Sequence, residues 1–196
     1  MPALDPSASA PLPSTAMPAG TPERDPPPGF VSFCVRFQDQ CASTPNEATT
    51  VALTPQLWKE LNAINGSVNY AIAPAGDELH FDRAEYWTIP TDGYGNCHDY
   101  MVTKRDQLAK AGIPLKALRM AIVVTPRNNR HAILTVSTDA GDYVLDNLRE
   151  EILPWNQTGY TWIARQDEKN DWGWVALAGE PLRVADAHAP NASVMN

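Results

Sequence analysis

The sequence of 196 residues contains three cysteines and four histidines, the residue types on which thiol-dependent catalysis relies. Cys97 follows a short segment with two glycines, Gly93 and Gly95, and a stretch typical of a helix begins immediately after it. The free N–H groups and the positive dipole end of such a helix would stabilise a thiolate, and the same groups could hold an oxyanion. The alternative is that Cys97 is a small buried apolar residue, as most free cysteines are.

Catalysis by a cysteine requires a base, and the base requires a group that orients it. His131 begins an apolar strand, and Asp146 ends the next one. A histidine at such a position is often only a polar strand end, so Asp146 is the stronger signal. The remaining histidines are poorer candidates. One adjoins the cysteine and points about 100° away on a helix, one lies in an irregular segment and one lies near the C-terminus: His98, His80 and His188.

The two strands are joined by an Asp-Ala-Gly-Asp turn signal. If the turn is formed by Ala140-Gly141, Asp146 faces Thr135 and His131 faces Glu150. Side chains alternate along a strand, so His131 and Asp146 point to the same face without being directly opposite. A register shift or sheet twist is therefore needed to bring them into contact.

The elements that position these residues follow from apolar spacing and helix-end signals. Thr54 and Pro55 suit the N-cap and first position of a helix that ends at Asn65-Gly66. A second helix and three strands are predicted further along the chain: Tyr100–Lys110, ending at Gly112, then Arg119–Thr125, His131–Thr138 and Tyr143–Asp146. Helical elements followed by an antiparallel meander indicate an α+β fold and not a parallel βαβ sheet.

Proline content divides the chain, since nine of the 18 prolines precede Phe30. Residues 1–29 are predicted to be a disordered leader, 30–180 a folded domain, and 181–196 a flexible tail. The leader lacks a basic start followed by an apolar run, so it is not a signal peptide as written. Either the protein is cytoplasmic with a flexible start, or an export signal has been removed.

The charge balance excludes some classes of partner. The 15 Lys and Arg residues stand against 23 Asp and Glu, which gives a net charge of −8. Such a chain repels phosphate backbones, and no basic patch is interleaved with aromatics, so nucleic acid is not an expected partner. No run of 18 apolar residues is present, so no transmembrane segment is expected.

The stretch from Trp87 to Trp174 resembles the bacterial transglutaminase-like cysteine peptidases, which include the LapG-type periplasmic proteases. The match lies in the contexts of the three candidate residues and in segments between them: Tyr86–Pro90, Gly95–Tyr100, Lys104-Arg105, Leu118-Arg119, His131–Val136, Gly141–Leu148, Thr158–Tyr160 and Arg165-Gln166. An upstream segment, Gly29–Cys34, also looks like family members. The resemblance covers most of the region predicted to fold.

This resemblance implies a papain/transglutaminase-like fold, in which a helix carrying the nucleophile packs on an antiparallel sheet carrying the base and the acid. It assigns Cys97 as nucleophile, His131 as general base and acid, and Asp146 as the residue that orients the imidazole. It also implies a protein substrate and a periplasmic or secreted location. The sequence does not identify any regulatory partner. Two alternatives stay open: transglutaminase-type acyl transfer to an amine, and a catalytically degenerate binding module.

The sequence departs from the family directly around the nucleophile. Family members usually carry acidic residues before and after the cysteine, and in LapG-type proteases these are tied to calcium binding. Here the positions hold Asn96 and His98, and only Asp99 remains of the acidic set. Because calcium prefers several oxygen ligands, preferably charged, we predict weak or absent calcium binding and expect no cofactor. Nothing in the spacing of Cys97, His98 and His131 supports a zinc site.

The other two cysteines, Cys34 and Cys41, are separated by seven positions. A hairpin or short loop between them would allow a disulfide, and the alternative is two buried free thiols. A disulfide would require an oxidising compartment, which agrees with the periplasmic location of the family that the chain resembles. The odd count leaves one thiol unpaired in either case.

Overall fold

An antiparallel seven-stranded sheet lies at the centre of the computed structural model, which describes residues 10–177. The strands within these residues are β1 (Glu23–Arg24), β2 (Ala73–Pro74), β3 (Tyr94–Gly95), β4 (Leu118–Val124), β5 (Arg130–Thr138), β6 (Gly141–Leu145), β7 (Leu153–Pro154), β8 (Thr161–Gln166) and β9 (Trp174–Ala176). The large sheet has the order β1-β9-β8-β4-β5-β6-β7, while β2 and β3 form a separate parallel pair. The predicted meander is its β4-β5-β6 part.

Four α-helices accompany the sheet in the described residues: α1 (Pro28–Arg36), α2 (Pro55–Ala71), α3 (Asp77–Phe81) and α4 (Cys97–Lys110). None of them is long and apolar enough to cross a membrane. Together with the antiparallel sheet, these helices confirm the α+β class.

Helix α4 packs against β5, and the alternation of side chains along this strand explains the contact. Every second residue of β5 joins the main core together with apolar residues of α4: Ala132, Leu134, Val136, Met101 and Leu108. The residue between two of them, Ile133, lies instead in a second, smaller apolar cluster with Val123 and Val144. The strand is therefore buried on both faces, as its continuous apolar run suggests.

Helix α2 begins where predicted but ends later. Thr54 caps it by accepting a hydrogen bond from a backbone N–H of the first turn at 3.1 Å. The predicted stop at Asn65-Gly66 is wrong, since the helix continues to Ala71. A glycine inside a helix costs about 1 kcal/mol relative to alanine, but Asn65 is fully buried and its Nδ2 donates to the carbonyl of Glu150 at 3.0 Å. This tertiary contact extends the helix past its local stop signal.

The turn between β5 and β6 is displaced by one residue from the predicted position. Thr138 pairs with Gly141, so the turn consists of positions 139 and 140 and not of Ala140-Gly141. The Thr138 hydroxyl explains this turn, because it donates to the Gly141 carbonyl at 2.7 Å and accepts from the Ala140 N–H at 3.1 Å.

The new register shortens the gap between the two candidate residues of the hairpin. The last pair of the hairpin is Leu134 with Leu145, so the following residue, Asp146, extends towards the position opposite Ile133. The predicted common face of His131 and Asp146 is retained because the register changes by an even number of residues. Asp146 is consequently only two positions away from His131 across the hairpin.

The expectation of a disordered leader is wrong for residues 10–29, which lie against the sheet and enter α1. Met17 is buried, its N–H donates to Asp142 Oδ2 at 2.5 Å, and the hydroxyl of Tyr143 donates to the carbonyl of Leu12 at 2.9 Å. The segment binds mainly through backbone groups, so it needs no apolar periodicity in its sequence. Residues 1–9 and the predicted tail 181–196 lie outside the described residues, and the boundaries of the 30–180 domain stay a prediction.

Cys34 and Cys41 form a disulfide, with their Cα atoms 5.5 Å apart. Cys34 lies in α1, and a short 3₁₀ turn, Gln38–Gln40, brings Cys41 back to it. Of the two alternatives, the structure therefore has the paired cysteines, although the connection is helical and not a hairpin. Cys97 is the free cysteine.

Candidate active site

Cys97 is the first residue of α4, and a capping box holds the start of this helix. Oδ1 of Asn96 accepts a hydrogen bond from the His98 N–H at 3.0 Å, and Oδ2 of Asp99 accepts one from the Asn96 N–H at 3.0 Å. The second carboxylate oxygen of Asp99 accepts from the Thr88 N–H at 2.8 Å. These three hydrogen bonds determine the direction in which the helix presents the cysteine.

Gly95 and Asp77, which both precede α4 in the chain, support this cap. A Cβ on Gly95 would lie 2.7 Å from Cβ of Asp99, so only glycine leaves room for the capping carboxylate. Asp77 supports the cap from outside, because its Oδ1 accepts from Nδ2 of Asn96 at 2.6 Å and its Oδ2 from the Tyr86 N–H at 2.6 Å. Burial raises the pKa of Asp99 to about 7, although its hydrogen bonds oppose the shift.

His131 and Asp146 form the other half of the site. His131 Nε2 and Asp146 Oδ1 are 2.7 Å apart, and the two residues are 5% and 2% exposed. The same oxygen accepts from the Leu148 N–H at 3.0 Å, and Oδ2 accepts from the Tyr160 hydroxyl at 2.5 Å. The backbone carbonyl of Asp146 accepts from Nδ2 of Asn69 at 2.9 Å. Asp146 is therefore held at both carboxylate oxygens and at its backbone.

Burial and these contacts shift the pKa of three groups. Burial alone would lower the pKa of His131, but hydrogen bonds with Asp146 and Cys97 outweigh it and raise the pKa to about 9. Burial opposes ionisation of Asp146, yet hydrogen bonds from His131, the Leu148 N–H and Tyr160 keep its pKa below the usual value. Burial and the bond to Asp146 raise the pKa of Tyr160 to about 12, so this hydroxyl remains a donor. A protonated His131 next to an ionised Asp146 is the favoured state at neutral pH.

Cys97 and His131 meet in a cavity of about 190 Å³. Since Nε2 of His131 is bound to Asp146, Nδ1 is the ring nitrogen left for the thiol. The cavity is lined by apolar, aromatic and charged side chains: Pro27, Glu85, Trp87, Cys97, His98, Ile122, Arg130 and His131. Its chemistry suits attack on a carbonyl carbon, because a thiol and an imidazole line the same space.

His98 also lines this cavity, but it is stacked on the fully buried Trp87. The ring centroids are 4.7 Å apart with 18° between the planes. Burial, together with the positive charges of His131 and Arg130, lowers the pKa of His98 to about 3. His98 is therefore neutral and forms part of the wall, as does Trp87.

Two histidines of the sequence remain to be placed, and two residues that hold Asp146 were not predicted. His80 forms an exposed pair with Asp92, with Nε2 and Oδ2 2.8 Å apart, and His188 lies outside the described residues. Tyr160 belongs to one of the segments matched to the family, but its sequence context does not indicate a bond to Asp146. Asn69 lies beyond the predicted end of α2, so no local signal could have identified it.

The oxygens around Cys97 do not fit a calcium site. Both carboxylate oxygens of Asp99 and Oδ1 of Asn96 accept backbone hydrogen bonds, and the position after the cysteine holds an imidazole stacked on Trp87. In the part of the chain that the structure describes, no three His, Cys, Asp or Glu residues are grouped to hold a metal ion.

Comparison with known proteins places this geometry in a family context. The model of the bacterial transglutaminase-like cysteine proteinases matches residues 21–181. Calcium-bound LapG of Legionella pneumophila is similar in structure, with a TM-score of 0.54, 19% identity and coverage of 79% of this chain and 82% of that chain. EGTA-treated LapG of the same organism has a TM-score of 0.50 at 19% identity, covering 70% and 71%. No curated protein matches the chain by sequence. The structural matches extend the likeness to the fold.

Proposed function

The chain belongs to the bacterial transglutaminase-like cysteine proteinases, and on this premise we propose that it hydrolyses amide bonds of a protein substrate. Cys97 is the nucleophile, His131 carries the proton and Asp146 orients the imidazole. The observation that carries the proposal is one cavity lined by Cys97 and His131, with His131 hydrogen-bonded to a buried Asp146.

The reaction proceeds through an acyl-enzyme. The Cys97 thiolate attacks the carbonyl carbon, and the backbone N–H of Cys97, at the positive end of α4, stabilises the oxyanion. His131 then donates its proton to the nitrogen of the leaving amine as the C–N bond breaks, which leaves a thioester on Cys97. Water attacks the thioester, His131 takes one proton of this water, and the C–S bond breaks to release the thiolate and a carboxylic acid, which loses its own proton to the solvent.

The raised pKa of His131 supports this order of events. With a pKa of about 9, the imidazole carries its proton at neutral pH and has it available for the leaving amine. Asp146 maintains this state because its carboxylate is ionised and 2.7 Å from Nε2.

Replacement of the nucleophile tests the proposal. In cells that express Cys97→Ala, a secreted or surface protein that the wild type cleaves should stay intact, while the variant keeps the fold of the wild type by circular dichroism. His131→Ala should have the same effect. Lys59→Ala, at an exposed position on α2 outside the Cys97 cavity, serves as the control and should cleave normally. Undiminished cleavage by Cys97→Ala would end the hypothesis, and amine incorporation exceeding hydrolysis would instead favour acyl transfer.

We also propose that activity does not depend on calcium. The oxygens of Asn96 and Asp99 are occupied by backbone donors, and His98 offers no oxygen. Isothermal titration of the full chain with calcium should show weak or no binding, and EGTA should leave cleavage unchanged. Micromolar affinity that Asn96→Ala abolishes would contradict this.

A periplasmic or secreted location is supported by the disulfide between Cys34 and Cys41, since such bonds persist in oxidising compartments. Thiol labelling of unfolded, unreduced protein from cells should modify one cysteine, and labelling after reduction should modify all three. Three labelled thiols without reduction would place the protein in a reducing compartment.

A further inference from the structure

We propose that a second cavity, which contains Arg36 and Arg83, binds the carboxylate of an acidic residue in the protein substrate. This inference rests on the proposed peptidase function and adds the class of substrate. The cavity has a volume of about 570 Å³ and combines two arginines with aromatic and small side chains: Arg36, Phe37, Phe81, Arg83, Tyr86, Thr88, Ile89, Pro90, Thr91 and Asp92. We refer to it as the arginine cavity.

Both guanidinium groups of the arginine cavity lie over one aromatic ring. Cζ of Arg36 is 4.2 Å and Cζ of Arg83 is 5.3 Å from the centroid of Tyr86. Contact with an aromatic ring orients a guanidinium and leaves N–H groups at its edge available for a ligand. Two cations near one ring also repel each other, so an anion within reach of both lowers the electrostatic energy.

Neither guanidinium has a carboxylate partner in the part of the chain that the structure describes. Arg36 donates to the backbone, including the carbonyl of Trp87. Asp92, the acid of this cavity, is occupied because Oδ2 contacts His80 at 2.8 Å and Oδ1 accepts from the Tyr94 N–H at 3.1 Å. In a chain with a net charge of −8, these two positive charges are left for a ligand.

The arginine cavity adjoins the Cys97 cavity through consecutive residues. Tyr86 lines the former and Trp87 the latter, and Thr88 belongs to the former again. The Thr88 N–H donates to Asp99, which lies two residues after Cys97 on α4. An extended peptide advances about 3.3–3.6 Å per residue, so a substrate that reaches both cavities places the acidic residue a few positions from the cleaved bond.

The ligand chemistry follows from the two arginines and the aromatic wall. A guanidinium binds a carboxylate through two parallel N–H···O bonds, which is stronger and more specific than a neutral contact. The rings of Phe81 and Tyr86, with centroids 4.8 Å apart, offer an apolar surface to the methylene groups of an acidic side chain. Glutamate or aspartate of an extended peptide satisfies both requirements.

A binding experiment tests the site without any cleavage. The full chain carrying Cys97→Ala is titrated with the peptide Ala-Ala-Glu-Ala-Ala, with its glutamine counterpart and with free glutamate, while the Nε–Hε resonances of the arginines are followed by NMR. Arg36→Lys and Arg83→Lys assign the two signals. We expect both signals to shift with the glutamate peptide, which should bind about fivefold more tightly than the glutamine peptide. Equal binding of the two peptides would overturn the proposal. Free glutamate that binds as tightly as the peptide would assign the cavity to a small carboxylate and not to the substrate.

A cleavage experiment tests the link to the proposed function. The wild type and two variants, Arg83→Gln and Arg83→Glu, are incubated with a peptide library made from a proteome, and the cleaved sites are sequenced. Cleavage by the wild type should favour Asp or Glu at one fixed position. Arg83→Gln should reduce this preference about fivefold, and Arg83→Glu should replace it with a preference for Lys or Arg.

A control variant completes this experiment, and failure of the substrate class can be distinguished from failure of the peptidase function. Lys59→Gln, which removes a positive charge from an exposed position on α2, should keep the preference of the wild type. Cleavage without an acidic preference would overturn the substrate class and leave the peptidase function standing. If no peptide is cleaved while the glutamate peptide still binds, the carboxylate site stands and the peptidase function fails.

Discussion

The two sides of the candidate active site are held by different means. On the sheet side, His131 and Asp146 are 5% and 2% exposed, and Asp146 is hydrogen-bonded at both carboxylate oxygens and at its carbonyl. On the helix side, Cys97 is only partly buried, and it is positioned by the capping bonds of Asn96 and Asp99. A dry, fixed pair of charges interacts strongly, whereas the sulfur must stay open because a substrate has to reach it.

The two sides also differ in the segments that surround them. The helix side adjoins the segment that contains Tyr86 and Arg83, in which Asp82 and Glu85 both have a left-handed φ of 53°. The sheet side is covered by Tyr160 and Asn69. In the proposed function, proton transfer belongs to the sheet side, and in the proposed carboxylate site, substrate selection belongs to the helix side.

The largest effect on kcat is expected when the carboxylate of Asp146, on the sheet side, loses its charge. Asp146→Asn should lower kcat roughly 10³–10⁴-fold, because the imidazole loses the group that orients it and stabilises its positive charge. The pKa of His131, held at about 9 by Asp146 and Cys97 against burial, should fall. The alkaline limb of activity should therefore move to lower pH in a profile of kcat/KM from pH 5 to 11. Asp39→Asn, at an exposed position, should change neither kcat nor the pH of the alkaline limb. If the alkaline limb of Asp146→Asn stays where it is in the wild type, Asp146 does not control the pKa of His131.

Lys104 connects the two sides, since it lies on α4 and interacts with the charge of Asp146. It is 1% exposed, and its Nζ has no hydrogen-bond partner among the described residues. Burial lowers its pKa to about 7 from 10.5, although Asp146 acts in the opposite direction. Between these pH values the unfolded chain binds a proton that the folded protein does not, so this group makes stability increase with pH.

Lys104→Met should remove that dependence. At pH 7 the variant should be more stable than the wild type by on the order of 3 kcal/mol, because folding no longer has to remove a proton from a buried amine or bury the charged amine without a hydrogen bond. The difference in the free energy of unfolding between the two proteins should shrink as the pH approaches 10.5. Urea unfolding at pH 7 and pH 10 measures both values, and a constant difference would contradict the assignment.

The cap of α4 can be compared with the cap of α2. Asp99→Ala should cost about 1–2 kcal/mol of stability by removing a capping carboxylate, and it should also lower kcat because the first turn carries Cys97. Thr54→Ala removes the cap of α2 and should cost about 1 kcal/mol without affecting kcat. Equal effects of both variants on kcat would mean that the cap of α4 has no special role in catalysis.

The smallest effect is expected for Tyr160→Phe. The variant loses one hydrogen bond to Asp146, which is worth about 1 kcal/mol, so kcat should fall about fivefold at unchanged KM. Tyr70→Phe, at a residue that is 95% exposed, provides the control. A change in KM alone would show that Tyr160 contacts the substrate and does not position Asp146.

Local patterns predicted much of the scaffold. The start of α2 at Thr54, a helix beginning near Cys97 and the strands around His131 all follow from caps, glycines and apolar runs, which act over a few residues. The hairpin turn was displaced because the Thr138 hydroxyl, not the glycine, determines its closure. The end of α2 was missed because Asn65 finds a partner 85 residues away.

The sequence by itself determined the residue types, their order along the chain, and the face shared by His131 and Asp146, since alternation in a strand requires nothing but the chain. Only the tertiary structure decided that Asp146 is enclosed by Tyr160 and Asn69, that residues 10–29 cover the sheet, and that Arg36 and Arg83 meet over Tyr86. These contacts join segments far apart in the chain, and their strength comes from burial and from charges brought together by folding, which no local pattern records.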